Sequence, residues 1–385
     1  MKPANSILSG YGTTVFEVMS RLAIERGSIN LGQGFPDEEG PESIKAMVDR
    51  ATRDFPNQYP PMMGVPELRQ AVAAHGKRFY DLDVDWQSEV MVTSGATEAL
   101  AASILALIEP GDEIVLFQPL YDSYLPMIRR AGGVPRIVPL EGPDWALPRD
   151  ALEAAFSDRT KFVLINTPMN PTGKVFDREE LGFIADLLER HDAYAVCDEV
   201  YEHIVFDGIA HVPLITLPGM RERVVKIGSA GKTFSMTSWK VGYITAAPNL
   251  LGVIAKAHQF LVFTTPANLQ RAVAHGLDEE VGWYTALSDD LQRKRDRFAD
   301  GLRRIGFDVL PCDATYFMNA RYAPLGFEGD DVEFARHCTL EAGVTPLPVS
   351  ALCAEEGLDD LVRFCFCKRD SVLDEALERL AVHFA

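Results

Sequence analysis

A lysine surrounded by small residues is the position of this sequence with the clearest chemical potential. Lys232 lies in residues 228–235, which read GSAGKTFS, directly after an apolar stretch that predicts a strand over residues 223–227. A second strand is predicted over residues 239–246, so we expect the small-residue loop between them to be buried. Burial lowers the pKa of an amine because it disfavours the charged form, and the neutral amine is a nucleophile. The pattern therefore favours Schiff-base chemistry at Lys232.

Two polar side chains follow predicted strands, where ligands of open α/β sheets bind. Asp198 belongs to the segment 197–201, CDEVY, and ends the strand predicted over residues 194–198. Asn170 belongs to the segment 166–173, NTPMNPTG, and follows the strand predicted over residues 161–166. Taken alone, Asp198 is more typical of a turn or a helix N-cap, and Asn170 of a turn residue before Pro171. Together with Lys232 they indicate a shared site.

The segment 94–100, SGATEAL, joins a predicted strand to an apolar helix that runs through Leu107. Free N–H groups at the start of such a helix, together with its dipole, bind anions. Turns of this kind are general features of α/β proteins, so the segment indicates an anion site only in combination with the others.

Arg363 lies in the middle of an apolar run, residues 361–366, that predicts a strand. An unpaired charge there would cost several kcal/mol, so the guanidinium needs an anionic partner. That partner is either a substrate carboxylate held by two parallel hydrogen bonds or an internal carboxylate in a buried salt bridge.

The elements that must position these residues alternate between strand and helix. Apolar runs predict strands over residues 89–93, 113–117, 134–139, 161–166 and 194–198. Helical patterns separate them, which is typical of βαβ units in a mostly parallel sheet. One covering helix is predicted over residues 177–191, with Asp177 as its N-cap. After about residue 290 the pattern predicts a smaller α+β region, with a helix over residues 330–342.

The composition excludes several classes of protein. The 385 residues exceed one usual domain core, and 37 basic against 56 acidic residues give a formal charge of -19. Such a charge repels nucleic acid and anionic membranes. No secretory signal pattern and no apolar segment near the roughly 20 residues of a spanning helix is present, so we expect a cytoplasmic protein. Six cysteines are too sparse for a disulfide scaffold, and the spacing of Cys365 and Cys367 fits no common zinc motif, so no metal is expected.

The segments around Lys232, Asn170, Asp198 and Gly95 resemble, in order and spacing, the pyridoxal-phosphate (PLP) aminotransferases of class I/II, which have the aspartate-aminotransferase fold, fold type I. Residues 31–37 (LGQGFPD), 57–59 (NQY), 233–242 and 362–366 (VRFCF) look like the kynurenine/glutamine and methionine aminotransferase branch. The resemblance covers nearly the whole chain. It implies a large α/β domain, residues 41–290, with a mostly parallel seven-stranded sheet between helices. It also implies a smaller α+β domain formed by residues 1–40 and 291–385.

The resemblance also implies roles for individual residues. Lys232 would carry PLP, Asp198 would hold the ring nitrogen protonated, and Asn170 and Tyr201 would bond the phenolic oxygen. The phosphate would be bound by Gly95, Ala96, Thr97, Ser229 and Lys240, and by Tyr59 of the neighbouring subunit. Many class I relatives have arginine where Lys240 stands, and this branch typically has lysine. The ring of Tyr121 would stack on the cofactor. The substrate would contact Arg363, Gly34, Asn170 and Phe16, and Phe263 of the neighbouring subunit.

The resulting prediction is a homodimeric aminotransferase that moves the amino group of a neutral amino acid, such as methionine, glutamine, an aromatic residue or kynurenine, to a 2-oxo acid. The same chemistry also permits cysteine-conjugate β-elimination, and this alternative stays open. A nucleotide-dependent phosphotransferase is disfavoured, because a Walker motif requires glycine where Lys226 stands. A dinucleotide fingerprint starting at Gly32 fails at Asp37. A regulatory binding module is disfavoured because every chemical residue is retained and no DNA-binding segment is added.

Overall fold

The computed structural model describes residues 2–354 and 357–384. Within these ranges the strands are β1 (Ile29–Asn30), β2 (Val90–Thr93), β3 (Glu113–Gln118), β4 (Val134–Pro139), β5 (Thr160–Asn166), β6 (Tyr194–Asp198), β7 (Val224–Ser229), β8 (Gly242–Thr245), β9 (Asp308–Val309), β10 (Phe317–Arg321), β11 (Val344–Thr345), β12 (Leu347–Pro348) and β13 (Leu361–Cys365). The α-helices are α1 (Val15–Arg26), α2 (Glu42–Asp54), α3 (Pro66–Tyr80), α4 (Trp86–Glu89), α5 (Gly95–Leu107), α6 (Tyr124–Ala131), α7 (Arg149–Ala155), α8 (Arg178–Arg190), α9 (Ala230–Thr233), α10 (Pro248–Leu261), α11 (Ala267–Glu279), α12 (Val281–Ile305), α13 (Asp331–His337) and α14 (Asp370–Phe384).

The larger sheet has seven strands in the order β2, β8, β7, β6, β5, β3, β4. All neighbouring strands from β7 to β4 are parallel, and β8 is antiparallel to both β2 and β7. Every residue of β2, β3 and β7 is buried, as expected for a sheet covered by helices on both faces. The predicted α/β class with a mostly parallel seven-stranded sheet is confirmed.

Helix α8 shows how local sequence signals define an element. The Asp177 side chain accepts bonds from the backbone N–H groups of Glu179 and Glu180, and Glu180 bonds back to the N-cap, which completes a capping box. Leu181, Ile184 and other apolar residues on one face are buried against the sheet. The predicted helix over residues 177–191 and its N-cap are confirmed.

A second sheet of four antiparallel strands, in the order β12, β13, β10, β9, contains Arg363 at the centre of β13. Helices α12, α13 and α14 share one hydrophobic core with this sheet. Strand β1, near the start of the chain, pairs in parallel with β11, near its end. The boundaries of the two domains remain our prediction.

Two sequence predictions were wrong in local detail, and a third was right in extent but differs in helix type. The residues before β8 form a short 3-10 turn and a left-handed residue, Lys240 with φ 51°, so the strand is shorter than predicted. The predicted loop after β7 contains one helical turn, α9. The helix predicted over residues 330–342 is α13 followed by a π-helical turn over Cys338–Ala342. Across the described ranges, no helix combines the length and the apolarity needed to cross a bilayer.

Candidate active site

A cavity of about 420 Å³ lies at the carboxyl ends of β5, β6 and β7, where Asn166, Asp198 and Ser229 stand. Thirteen of the predicted site residues line it: Phe16, Gly34, Gly95, Ala96, Thr97, Tyr121, Asn170, Asp198, Tyr201, Ser229, Lys232, Lys240 and Arg363. They come from both sheets and from the N-terminal segment. The structure therefore brings into one place residues that are far apart in the sequence.

Lys232 is half-buried in the helical turn that follows β7. Its Nζ atom lies 2.8 Å from the hydroxyl oxygen of Tyr316 and 3.5 Å from the carbonyl oxygen of Gly34. Burial lowers the pKa of the Lys232 amine, because the surroundings replace water that would solvate the ammonium. The lowered pKa favours the neutral form of the amine, and Lys232 lines the cavity.

Asp198 ends β6 and is 5% exposed. Its Oδ2 atom accepts a 2.7 Å bond from the Tyr124 hydroxyl, whereas Oδ1 has no partner among the described residues. Burial raises the pKa of this carboxyl to about 6, and the Tyr124 bond opposes that rise. A buried carboxylate oxygen without a partner is costly unless a bound group donates to it, and the protonated ring nitrogen of PLP is such a donor.

The start of α5 and Lys240 enclose a space suited to a small anion. Gly95 has φ +70°, and a Cβ atom there would lie 3.2 Å from Cε and 3.3 Å from Nζ of Lys240. The Lys240 Nζ atom in turn lies 3.3 Å from Oγ1 of Thr97. A Cβ on Gly242 would lie 2.8 Å from the backbone nitrogen of Ala96, so glycine allows β8 to approach this turn closely. Backbone N–H groups and an ammonium around one space fit a phosphate.

Arg363 is fully buried and makes no ion pair with a carboxylate in the part of the chain that the structure describes. Its Nη1 atom donates to Oδ1 of Asn170 at 2.7 Å, and Nη2 donates to the carbonyl oxygen of Gly32 at 2.6 Å. Nε has no partner there. The guanidinium lies over the rings of Phe317, 4.0 Å from its centroid, and Phe16, at 5.4 Å. Burial lowers its pKa to about 10. Among residues 2–354 and 357–384, no carboxylate forms the internal salt bridge that the sequence left open.

Asn170, Tyr201 and Tyr121 complete the surroundings of the cavity. The backbone N–H of Asn170 donates to Oδ1 of Asn166 at 2.7 Å, so the loop after β5 is tied to the end of the strand. Tyr201 is 3% exposed and meets the Tyr316 ring edge to face at 5.3 Å between centroids. Tyr121 is half-buried. Ring contacts hold the two tyrosines, and the hydrogen bond from Arg363 holds the Asn170 side chain.

Tyr59 and Phe263 do not line the cavity of this chain. They are 83% and 42% exposed, and their rings contact each other edge to face with centroids 5.6 Å apart. Their predicted contacts with the site of a second subunit stay a prediction.

Sequence reasoning missed three residues that line or support the site, namely Tyr124, Tyr316 and Phe317. Each comes into contact with a predicted residue from a distant part of the chain; Tyr316 is 84 positions from Lys232. Tyr124 belongs to the same short segment as Tyr121, so the aromatic spacing in residues 121–124 was the one available signal.

The mostly parallel sheet, the half-buried lysine, the carboxylate oxygen without a described partner and the space beside Gly95 fit an aldehyde cofactor that carries an acidic group. The family described as aminotransferase class I and II matches residues 26–380, and the chain belongs to this family. Class I and II aminotransferases use pyridoxal phosphate, and the residues present fit that group at the Asp198 oxygen and the Gly95 turn.

Several relatives are similar over nearly their whole length. A probable N-succinyldiaminopimelate aminotransferase of Mycobacterium tuberculosis is 45% identical, with 98% of each chain covered. A methionine aminotransferase of Escherichia coli is 40% identical, with 97% of each chain covered. The solved structure of the N-succinyldiaminopimelate aminotransferase from M. tuberculosis superposes with a TM-score of 0.96 at 44% identity, covering 100% of both chains. The chain is accordingly an aminotransferase.

Proposed function

We propose that this aminotransferase takes the amino group from a neutral amino acid and passes it to a 2-oxo acid, with Arg363 holding the α-carboxylate of each. The observation that carries the proposal is the fully buried guanidinium of Arg363, whose Nε has no partner in the described ranges. An arginine that is already oriented by Asn170 and Gly32 needs only the two oxygens of a carboxylate to complete its bonding.

When bound, pyridoxal phosphate withdraws electrons from the substrate α-carbon and so makes its proton acidic. The residues of this chain would supply the rest. Lys232 would attach the cofactor and, once displaced, carry the proton. Asp198 would keep the ring nitrogen protonated, and Asn170 and Tyr201 would bond the phenolic oxygen. Tyr121 would stack on the ring.

The phosphate would be bound by the main chain and side chains around the start of α5. We assign this role to Gly95, Ala96, Thr97, Ser229 and Lys240. Tyr59 of a second subunit would add one more bond, so we propose a homodimer with shared sites. The cytoplasmic location expected from the sequence stays part of the proposal.

The donor class follows from the lining of the cavity. The rings of Phe16, Tyr121 and Phe317 line it and favour apolar, thioether or aromatic side chains. The carboxyl of Asp122 also lines it and would repel an acidic side chain. Phe263 of the second subunit and Gly34 would complete the substrate surface. These contacts support methionine, glutamine, phenylalanine or kynurenine as donor.

Another donor and another reaction are alternatives to this proposal. The 45% identical relative is named for N-succinyldiaminopimelate, so a donor with this long acylated side chain is a second candidate. Cysteine-conjugate β-elimination begins with the same loss of the α-proton and is a third.

The test is a comparison of specificity constants for amino acid donors with one oxo-acid acceptor. We expect methionine, glutamine and aromatic donors to exceed aspartate by at least about 100-fold, about 2.7 kcal/mol in transition-state binding. Aspartate above methionine would exclude the proposed pocket, and N-succinyldiaminopimelate above all others would establish the second candidate. Pyruvate release from a cysteine conjugate measures the β-elimination in the same samples.

A further inference from the structure

Tyr316 contacts Lys232 directly, although no motif in the sequence marks it. The side chain is 1% exposed, and its hydroxyl oxygen lies 2.8 Å from Nζ of Lys232. The same oxygen lies 3.0 Å from the carbonyl oxygen of Gly34. A longer contact of 3.5 Å joins Nζ to that carbonyl. Two groups from separate parts of the chain, the Tyr316 hydroxyl and the Gly34 carbonyl, therefore meet at the lysine amine.

The direction of these hydrogen bonds is determined by their chemistry. A carbonyl oxygen only accepts, and a tyrosine hydroxyl has a single hydrogen. The Tyr316 hydroxyl must therefore donate to Gly34 and accept an N–H from Lys232. One N–H of the amine is thereby committed to Tyr316, and the lone pair of the neutral amine must point in another direction.

We propose that Tyr316 is a positioning residue that orients the free amine of Lys232 while this amine carries the proton of the substrate α-carbon; the proposal rests on the function proposed for Lys232. In that step the neutral amine forms an N–H bond as the Cα–H bond breaks. When bound, the cofactor would supply the conjugated system that takes up the electron pair of the broken bond. The resulting ammonium donates to the Tyr316 oxygen, while the Tyr316 hydroxyl still donates its hydrogen to the Gly34 carbonyl. The ammonium later returns the proton to carbon.

Thr315, the residue before Tyr316, has a backbone conformation that its own side chain disfavours. Thr315 has φ +68°, in the left-handed region that β-branched residues rarely adopt. Its N–H donates to the carbonyl oxygen of Ile204 at 2.9 Å, and its Oγ1 accepts from the N–H of Phe317 at 3.2 Å. Such conformations persist where the surroundings over-determine them, and they concentrate at functional sites. The ring of Tyr316 also contacts Phe317 and Tyr201, with centroids 4.8 and 5.3 Å away.

The substitution Tyr316→Phe keeps the ring and removes the hydroxyl. In the holoenzyme we expect kcat to fall at least about tenfold while the KM of the donor changes less than about threefold, since ground-state binding does not use the hydroxyl. We also expect the kinetic isotope effect with an α-deuterated donor to increase, because proton transfer becomes slower relative to the other steps. A residue that only packs would not change the isotope effect.

A second readout does not depend on activity. In the full-length chain freed of cofactor, the pH dependence of amine-specific labelling at Lys232 reports the pKa of this amine. Loss of the Tyr316 oxygen removes an acceptor that favours the ammonium, so we expect this pKa to fall in Tyr316→Phe. Labelling of the exposed Lys256 in the same samples is the internal control.

Tyr322→Phe is the matched control variant. Tyr322 is also buried, and its hydroxyl oxygen lies 2.9 and 2.8 Å from the main-chain oxygens of Gly329 and Asp359, so its one hydrogen is donated to this pair of carbonyls, away from the cavity. We expect wild-type kcat and wild-type Lys232 labelling for it. The proposal is overturned if kcat of Tyr316→Phe stays within threefold of wild type, if the labelling pKa is unchanged, or if Tyr322→Phe loses as much activity. Turnover by a Lys232→Ala protein would instead refute the function proposed for Lys232. The labelling experiment tests the contact between Tyr316 and Lys232 independently of that function.

Discussion

The hydroxyl of Tyr124 donates a 2.7 Å hydrogen bond to Oδ2 of Asp198 and leaves Oδ1 of the same carboxylate free of partners in the described part of the chain. One oxygen is thus used to orient the carboxylate, and the other is directed to a bound group. The bond also opposes the effect of burial on the Asp198 pKa, because it favours the ionised form.

The substitution Tyr124→Phe should therefore weaken cofactor binding. We expect an increase in Kd of about tenfold, equal to about 1.4 kcal/mol, from the loss of one hydrogen bond to a charged group. The measurement is a cofactor titration of the cofactor-free chain at pH 7. Tyr322→Phe serves as the control for removal of a buried hydroxyl, and equal affinities for Tyr124→Phe and wild type would contradict the orienting role of Tyr124.

Asp198 should make the stability of the cofactor-free chain depend on pH. Its pKa in the folded chain is about 6, above the ordinary 3.8, so the folded state holds the proton more tightly than the unfolded state. The associated stability is present below pH 4 and is lost as the pH rises through 6. The difference in the free energy of unfolding between Asp198→Asn and wild type should therefore increase by up to about 3 kcal/mol from pH 4 to pH 8, in favour of the variant.

The measurement is urea unfolding of both proteins over this pH range at one protein concentration. Asp186→Asn changes an exposed aspartate of α8 and should leave the pH dependence as in wild type. Asp198→Asn should in addition lose cofactor affinity and activity by orders of magnitude, as should Asp198→Ala. A gain in stability that does not vary with pH would argue against ionisation of Asp198 as its cause.

Lys232→Ala should abolish multiple turnover and leave the fold intact, because attachment of the cofactor and proton transfer use the same amine. Borohydride reduction of the holoenzyme followed by mass spectrometry should find the cofactor on the peptide that contains residue 232, and should find none in the variant. Lys256→Ala removes an exposed lysine and should behave as wild type. Near-normal turnover by Lys232→Ala would show that another lysine is catalytic.

Arg363→Lys should lower kcat/KM for amino acid donors by at least about 100-fold, about 2.7 kcal/mol. The ammonium keeps the charge, but it loses the planar fork that holds Asn170, Gly32 and a carboxylate together. Arg321→Lys, on the neighbouring strand β10, changes an arginine paired with Asp308 and Asp360 and should retain activity. If both variants kept wild-type kcat/KM, Arg363 would not be the carboxylate site.

Tyr59→Phe should weaken cofactor binding if this exposed tyrosine reaches the phosphate of a second subunit. We expect an increase in Kd of about tenfold, the effect of one bond to a charged group, and a loss of cofactor when the protein is diluted to monomers. Sedimentation and cofactor absorbance over one dilution series measure both. Tyr194→Phe, at the opposite end of β6 from Asp198, is the control. A fully active monomer would remove the argument for shared sites.

The sequence by itself determined the elements whose signals are local. The apolar runs that became β3 to β6 lie where the hydrophobic pattern placed them, and Asp177 caps α8 through a box formed within four residues. Lys232, Asn170, Asp198 and Arg363 were identifiable because short motifs surround them, and the cavity contains all four. Their chemical roles remain predictions.

Only the tertiary structure decided which distant groups meet these residues. The contacts of Tyr124 with Asp198 and of Tyr316 with Lys232 span 74 and 84 positions. Tyr316 does not differ in local pattern from a tyrosine that packs in a core, and the aromatic spacing of Tyr121 and Tyr124 does not name Asp198 as the partner of Tyr124. Strand β8 begins only at Gly242, after the left-handed residue Lys240, and Gly242 lies close to the turn at Gly95, which no local pattern predicted. Hydrophobic periodicity reports which face of an element is buried, whereas the partner of a buried hydroxyl depends on how the two sheets and the N-terminal segment pack together.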